Sequence, residues 1–282
     1  MPLDVAWRQN LPSLKSVIDA HDLRARKSLG QNFIMDPAIT DRIAMAAGDL
    51  SGKRIIEIGP GPGGLTRSLL STNADSVLAI EFDPRAVAAL SGLQDAARGR
   101  LTIRQDDALH IDWDALLSSD PHHVIIANLP YNISTVLLGQ WLEYLARAPG
   151  SLDQMILMFQ REVADRLTAK THSADYGRLS VLTQWLCESE TILTLPPGAF
   201  VPAPKVYSCV VRLTPRPKIV PVSWTTMDTI LHDAFLHRRK MLRTNLKSYL
   251  PFLAQEGIPE TTRAQDVSVE QYLSLAQRVE EA

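Results

Sequence analysis

Cysteine is nearly absent from this chain of 282 residues, which has only Cys187 and Cys209, each inside an apolar run. Neither stands at a metal-ligand spacing, so both are expected to be buried free thiols, as in a reducing compartment, rather than a disulfide. An excess of charge is also missing. A formal net charge of −2 excludes a protein that coats nucleic acid through bulk charge and leaves only local Lys and Arg clusters for that task. No run approaches the roughly 18 apolar residues of a membrane helix. The N-terminal segment, interrupted by Asp4, Arg8, Lys15 and Asp19, lacks the apolar stretch of a signal peptide. The seven histidines are scattered and form no ligand set. These absences lead to the expectation of a soluble, cytoplasmic protein with no membrane span and no metal.

What is present is an alternation of short apolar runs with helix-like segments, the pattern of a parallel sheet covered by helices. Strands are predicted at Arg54–Ile58, Ser76–Glu81, Leu101–Arg104, His122–Asn128, Gln154–Phe159, Glu188–Leu195 and Tyr207–Leu213. Helices are predicted from Gly64, from Pro84 behind an Asp83 N-cap, and over about Ser134–Leu145. The last two strands are joined by a Pro-rich loop too short for a crossover helix, so they must pair antiparallel. The expected fold class is therefore α/β, a Rossmann-like doubly wound sheet of six strands with an antiparallel seventh. Thr214-Pro215-Arg216-Pro217 reads as a linker. It divides a domain over 1–215, with an N-terminal helical extension, from a small all-helical C-terminal domain over 216–282, in which Ser223–Leu253 and Ser268–Glu281 have helical patterns.

Glu57-Ile58-Gly59-Pro60-Gly61-Pro62-Gly63-Gly64 lies between a strand and a helix. Glycines there let the backbone turn sharply and approach a ligand, and Glu81, about 20 residues on, places a carboxylate where ribose hydroxyls could donate to it. Gly59, Gly61 and Gly64 also satisfy the dinucleotide fingerprint, and both cofactor classes contain adenosine. The loop alone does not choose between S-adenosylmethionine and a nicotinamide dinucleotide.

Asn128-Leu129-Pro130-Tyr131, at the end of the fourth predicted strand, does choose. An exocyclic adenine amine is a poor nucleophile because its lone pair is delocalised into the ring. To accept a methyl group it must pyramidalise, and acceptors around it favour that change. The Asn128 side-chain carbonyl and the Leu129 backbone carbonyl can be those acceptors. Pro130 stiffens the turn, and Tyr131 offers a face for the base, a stack worth about 1–3 kcal/mol. This is catalysis by orientation and placed dipoles, without a covalent intermediate.

On these residues the chain resembles the KsgA-type rRNA adenine N6,N6-dimethyltransferases, over nearly its whole length from about Leu23 to Leu246. Lys27-Ser28-Leu29-Gly30-Gln31-Asn32-Phe33 looks like that family's N-terminal signature, and the resemblance implies that Asn32 and Ile34 contact the cofactor. It likewise implies Gly59, Gly61, Glu81 and Asn128 as cofactor residues, and Asp107 as the acid that holds the cofactor's adenine, with neighbouring Asp106 as a rival. Asn128, Leu129, Pro130 and Tyr131 would be the catalytic tetrapeptide. Phe200, in Phe200-Val201-Pro202-Ala203-Pro204-Lys205-Val206, would cover the other face of a target base turned out of its stack. Tyr207 departs from the pattern, standing where most relatives have Asp.

The implied reaction is transfer of methyl groups from S-adenosylmethionine to N6 of two adjacent adenosines. They lie in a 3'-terminal hairpin loop of small-subunit (16S) rRNA, in an immature small ribosomal subunit, during ribosome biogenesis. The densest basic run, His237 to Lys247, contains Arg238, Arg239, Lys240, Arg243 and Lys247 with no acid between. Read as a helix, it puts Arg239 and Arg243 on one face. It and a smaller cluster at Arg26 and Lys27 are expected RNA contacts. Three rivals stand beside this reading. One is a large-subunit rRNA methyltransferase of the resistance type, whose members tend to carry Ile in place of Leu129. The others are a non-catalytic RNA-binding relative and a dinucleotide-dependent oxidoreductase. A monomer is expected.

Overall fold

The computed structural model describes residues 3–23, 31–118 and 122–282. Strands run at Phe33–Ile34 (β1), Arg54–Ile58 (β2), Ser76–Glu81 (β3), Leu101–Gln105 (β4), His123–Ala127 (β5), Leu152–Gln160 (β6), Cys187–Leu195 (β7), Phe200–Val201 (β8) and Ser208–Pro215 (β9). Seven of them form one sheet in the order β4-β3-β2-β5-β6-β9-β7. All the pairings are parallel except those of β9, which is antiparallel to both β6 and β7. The sheet class read from the sequence holds, including the antiparallel strand.

β2 and β5 are neighbours at the centre, and from β2 the chain order runs outward to β3 and β4 on one side and from β5 to β6 on the other. That reversal is the topological switch point of a doubly wound sheet, where a crevice opens beyond the carboxyl ends of the strands. Every residue of β5 is buried, as expected for a strand covered on both faces. The loop after β2 carries the glycines, and the loop after β5 carries Asn128-Leu129-Pro130. The two chemically richest segments of the sequence therefore meet at the crevice for a topological reason.

The helix after β5 spans Tyr131–Arg147, three residues earlier than the sequence suggests, with Pro130 as its N-cap residue. Its inner face buries Leu137, Leu138, Trp141, Leu142 and Leu145, at spacings that return to one side every turn. Trp141 is fully buried and meets the Trp113 ring edge-on at 5.3 Å. The hydrophobic cluster on this side of the sheet continues without a break into Met227, Ile230, Leu231, Tyr272 and Leu275 of the C-terminal helices. Both cysteines are buried free thiols, and burial pushes the Cys187 thiol up to about 12.

The basic run is not the continuous helix that its pattern suggests. The helix Trp224–Leu236 ends before it, His237 leaves helical angles, and only Leu242–Asn245 is helical again. The cause is tertiary. Asn245 Nδ2 donates to the carbonyls of Ala234 (2.6 Å) and His237 (3.2 Å), satisfying the end of the preceding helix. Met241 meanwhile bridges to Arg263 in an antiparallel contact. Arg239 and Arg243 consequently do not share a helix face.

Candidate active site

Gly59 continues the β2 ladder, its N–H donating to Ile80 O at 2.9 Å. Gly59 and Gly61 have φ of +66° and +54°, in the left-handed region that favours glycine. At Gly61 a Cβ would lie 2.8 Å from the Phe33 ring, so the loop is closed down on that aromatic. The turned loop aims the Gly61 N–H at Glu81 Oε2 (3.1 Å), while Asp83 N–H donates to Glu81 Oε1 (2.8 Å). Glu81, the last residue of β3, is 6% exposed, and burial raises its pKa against the lowering by these backbone donors. Each carboxylate oxygen retains a second lone pair, which is the capacity a ribose diol would use.

These groups open on a cavity of about 240 Å³ whose wall includes Asn32, Gly61, Glu81, Asp107, Asn128 and Tyr131, with Phe82, Leu109 and Ile133 supplying apolar surface. Predominantly apolar walls with a few convergent polar groups are the usual form of a cofactor site. An adenosine fits this set: acceptors at Glu81 for the ribose, a carboxylate at Asp107 for an exocyclic amine, and apolar surface for the ring. The two aspartates differ in their neighbours, and Asp107 also meets His110 Nδ1 at 3.1 Å through Oδ2. Asp106 is held by the Arg104 guanidinium (Nε to Oδ2, 2.9 Å), which lowers its pKa, whereas Asp107 lines the cavity and accepts from Leu109 N–H at 3.0 Å.

Asn128 is fixed from across the cavity. Its Nδ2 donates to the backbone carbonyl of Asn32 at 3.0 Å. A carbonyl only accepts, so this bond assigns the amide orientation and keeps Oδ1 as the acceptor end. Tyr131 begins the helix, and its phenol shares a 2.6 Å hydrogen bond with Oγ of Ser208, a fully buried residue at the start of β9. Burial raises the Tyr131 pKa and the Ser208 contact opposes it, so the side chain is a neutral phenol at working pH. Removing the hydroxyl in Ser208→Ala should loosen the ring while leaving the cofactor crevice intact. We expect kcat/KM for methylation to fall about tenfold, the order of one net hydrogen bond's worth of ordering, with S-adenosylmethionine affinity unchanged by calorimetry.

Two expected residues sit elsewhere. Phe200 is 2% exposed in β8, paired antiparallel with β1 in the register Ile34↔Phe200, and it does not line the cavity. Ile34 is 6% exposed and lines a second, smaller cavity of about 30 Å³ under the glycine loop, with Glu57, Gly59 and Asn128. Arg26 and Lys27 lie outside the described residues. Arg238, Arg239, Lys240, Arg243 and Lys247 are all exposed. Arg238 donates to the carbonyls of Ala174 (2.6 Å) and Tyr176 (2.8 Å), and none of the five has a carboxylate partner among the described residues.

Sequence reasoning missed Phe33, Ser208 and Glu57. Phe33 stood inside a recognised motif, whereas nothing local marks Ser208. Glu57 is 1% exposed with no partner for Oε2 among the described residues, and burial pushes its pKa up to about 8. An acid with a raised folded pKa binds its proton more tightly folded than unfolded. Its stabilising contribution is thus complete below about 4.5 and is lost as pH rises to about 8. In Glu57→Gln, chemical denaturation across that window should show a pH slope reduced by up to about 1.4 kcal/mol per pH unit; an unchanged slope would contradict a neutral buried acid.

Fold and cavity together define an S-adenosylmethionine-dependent methyltransferase. A family profile described as ribosomal RNA adenine dimethylase matches residues 22–281, and the chain belongs to that family. It is 49% identical over 280 residues to ribosomal RNA small subunit methyltransferase A of Dinoroseobacter shibae, covering 98% of this chain and 99% of that one. With the protein of the same name from Paracoccus denitrificans it shares 50% identity over 272 residues, covering 94% and 95%. Among solved structures, a dimethyladenosine transferase from Plasmodium falciparum shares the fold, with a TM-score of 0.75 at 23% identity over 87% of this chain and 96% of that one. The 23S rRNA methyltransferase ErmE superposes with a TM-score of 0.65 at 25% identity, over 88% and 100%. Among the described residues no group of three or more candidate ligands could hold a metal ion, and no helix is long and apolar enough to cross a membrane.

Proposed function

We propose that this chain dimethylates N6 of two adjacent adenosines in a 3'-terminal hairpin loop of small-subunit rRNA, within an immature small ribosomal subunit. The observation that carries the reading is the Asn128 amide, pinned through its nitrogen to Asn32 at the strand edge that also presents Tyr131. Relatives at 49% and 50% identity that carry the small-subunit name support the choice of RNA.

In this reading Glu81 receives the ribose hydroxyls, Asp107 the adenine amine, and Gly59, Gly61, Asn32 and Ile34 shape the floor. S-adenosylmethionine supplies a methyl group already activated on a sulfonium. Oδ1 of Asn128 and the carbonyl of Leu129 accept from the target amine and draw its lone pair out of conjugation. Pro130 holds that carbonyl in place, and Tyr131 stacks on the base. The amine proton passes to water after transfer, so no side chain need act as a strong base. Phe200, buried in β8, is the aromatic proposed for the other face of the base. Arg238, Arg239, Lys240, Arg243 and Lys247, with Arg26 and Lys27, hold phosphates. We also propose the division of the chain at 215/216, because β9 ends at Pro215 and no further strand follows among the described residues. The protein acts as a monomer in the cytoplasm.

The test is direct. Purified protein with labelled cofactor is incubated with small subunits from cells lacking the modification, and the rRNA is digested and mapped. N6,N6-dimethyladenosine at two neighbouring positions near the 3' end is the expected product. Modification confined to large-subunit rRNA, or no dimethyladenosine at all, refutes the proposal.

A further inference from the structure

A cavity of about 730 Å³ lies beside the catalytic one, and of its lining only Arg238 has a role in the proposed function. One wall is the helix Tyr131–Arg147, which contributes Thr135, Val136 and Gly139. The opposite wall comes from the helix Trp224–Leu236 and the turn that follows it, and includes Trp224, Phe235 and Arg238. Arg178 and Arg166 stand at its edge, paired with Asp228 (Nε to Oδ1, 2.8 Å) and Glu162 respectively.

The position of this cavity relative to the reaction centre follows from helical spacing. Asn132, Thr135, Val136 and Gly139 stand at i, i+3, i+4 and i+7, and so share one face of the helix. Asn132 lines the catalytic cavity and the other three line this one. One solvent-facing stripe thus leads from the first site to the second. At 1.5 Å per residue it is about 10 Å long, the reach of about three stacked nucleotides.

The walls carry the Arg238 guanidinium and one exposed carboxylate, Asp175, beside an aromatic and apolar surface, a mixture that suits a nucleotide better than an apolar peptide. Val136 is 52% exposed and presents an apolar face, while Trp224 and Phe235 are half-buried aromatics. Arg238 has no carboxylate partner among the described residues and is followed at once by Arg239 and Lys240, equally without one. An aromatic and apolar lining beside unpaired cations is how single-stranded nucleic acid is held, by stacking and by phosphate contact.

We propose that this cavity is a second RNA subsite. It receives a nucleotide a few positions from the target adenosine on the same strand, with its base against Trp224 and Val136 and its phosphate on Arg238. The proposal rests on the rRNA reading above. It implies that the enzyme grips its substrate at two extruded nucleotides, so that the strand stays in register while the cofactor is replaced between transfers.

Variants at two cavity positions, with one control, test it where folding is not at stake. A side chain at Gly139 meets no atom within 4 Å of its Cβ and would project into the cavity, and the same openness holds at Gly92, in the helix Pro84–Ala96 on a different surface. Gly139→Leu should weaken binding to unmodified small subunits about tenfold, with Gly92→Leu binding like the wild type. Val136→Glu should weaken binding similarly, and Val136→Lys should bind as tightly as the wild type or more so, because the sign of the charge is what a phosphate reads. S-adenosylmethionine affinity should be unchanged in all four.

Equal affinities for the two Val136 variants overturn the subsite. So does a charge effect seen on subunits but lost on protein-free rRNA, which would assign the cavity to a protein partner. If the wild type forms no dimethyladenosine on rRNA, it is the functional reading that fails, whatever the binding shows.

Discussion

Asn128→Ala should lower kcat for N6 methylation about 10²–10³-fold, the effect of deleting one preorganised group that interacts with the changing charge of a transition state. The amide has two ends, and the donor end is committed to Asn32 O at 3.0 Å. Alanine deletes the remaining acceptor and also frees the Asn32 carbonyl, so both the reaction and the position of the β1 segment are affected. Asn128→Asp separates the two effects. A carboxylate cannot donate to Asn32 O, yet it still offers an oxygen to the amine. Single-turnover measurements should show Asn128→Asp retaining more of the chemical step than Asn128→Ala, with weaker cofactor binding. Near-wild-type turnover by the alanine variant would show that Asn128 does not act on the amine.

Glu81→Ala should weaken S-adenosylmethionine binding about a hundredfold and destabilise the fold by about 2–4 kcal/mol. The carboxylate is the common acceptor for Gly61 N–H at 3.1 Å and Asp83 N–H at 2.8 Å, inside a nearly buried crevice. Its removal leaves two backbone donors without a partner, at about 1–3 kcal/mol for each buried group. It also removes the pair of acceptors that a ribose diol requires. Glu81→Gln still offers one oxygen to a backbone N–H, so it should recover part of the stability but little of the affinity. Denaturant midpoints and calorimetric titrations of the three proteins provide the comparison. Unchanged cofactor affinity in the alanine variant would refute the ribose assignment.

The glycine loop, Glu81 and the strand-end Asn128 could be read from the sequence because each sits where a strong local signal ends. A buried apolar strand stops, and glycine, an acid or an Asn-x-Pro follows. The antiparallel pairing of the last two sheet strands followed from their short connection, whereas the order of the strands came only with the structure. What escaped was built from long-range contacts. Two-residue strands such as β1 and β8 carry no periodicity, so their ladder could not be seen in advance. Ser208 became a site residue only because β9 lies where the Tyr131 phenol reaches it. The basic run kept a helical pattern through His237, and the side chain of Asn245, capping the preceding helix from the far side of the break, turned it into a loop. Phe200 is buried in β8, in register with Ile34 and away from the cavity, a placement that motif reading does not describe.

The short β1–β8 ladder has a consequence for how the enzyme is made. It clasps two segments from opposite ends of the methyltransferase domain, and one of them supplies the carbonyl that steadies Asn128. Closing so long a loop costs chain entropy that local helices and neighbouring strands do not incur, so this contact is expected among the last to form. A ribosome-bound nascent chain stopped before Phe200 would therefore have the glycine loop and Glu81 in place but would hold Asn128 loosely. Catalytic competence would arrive as a late event of synthesis, once the second half of the clasp has emerged.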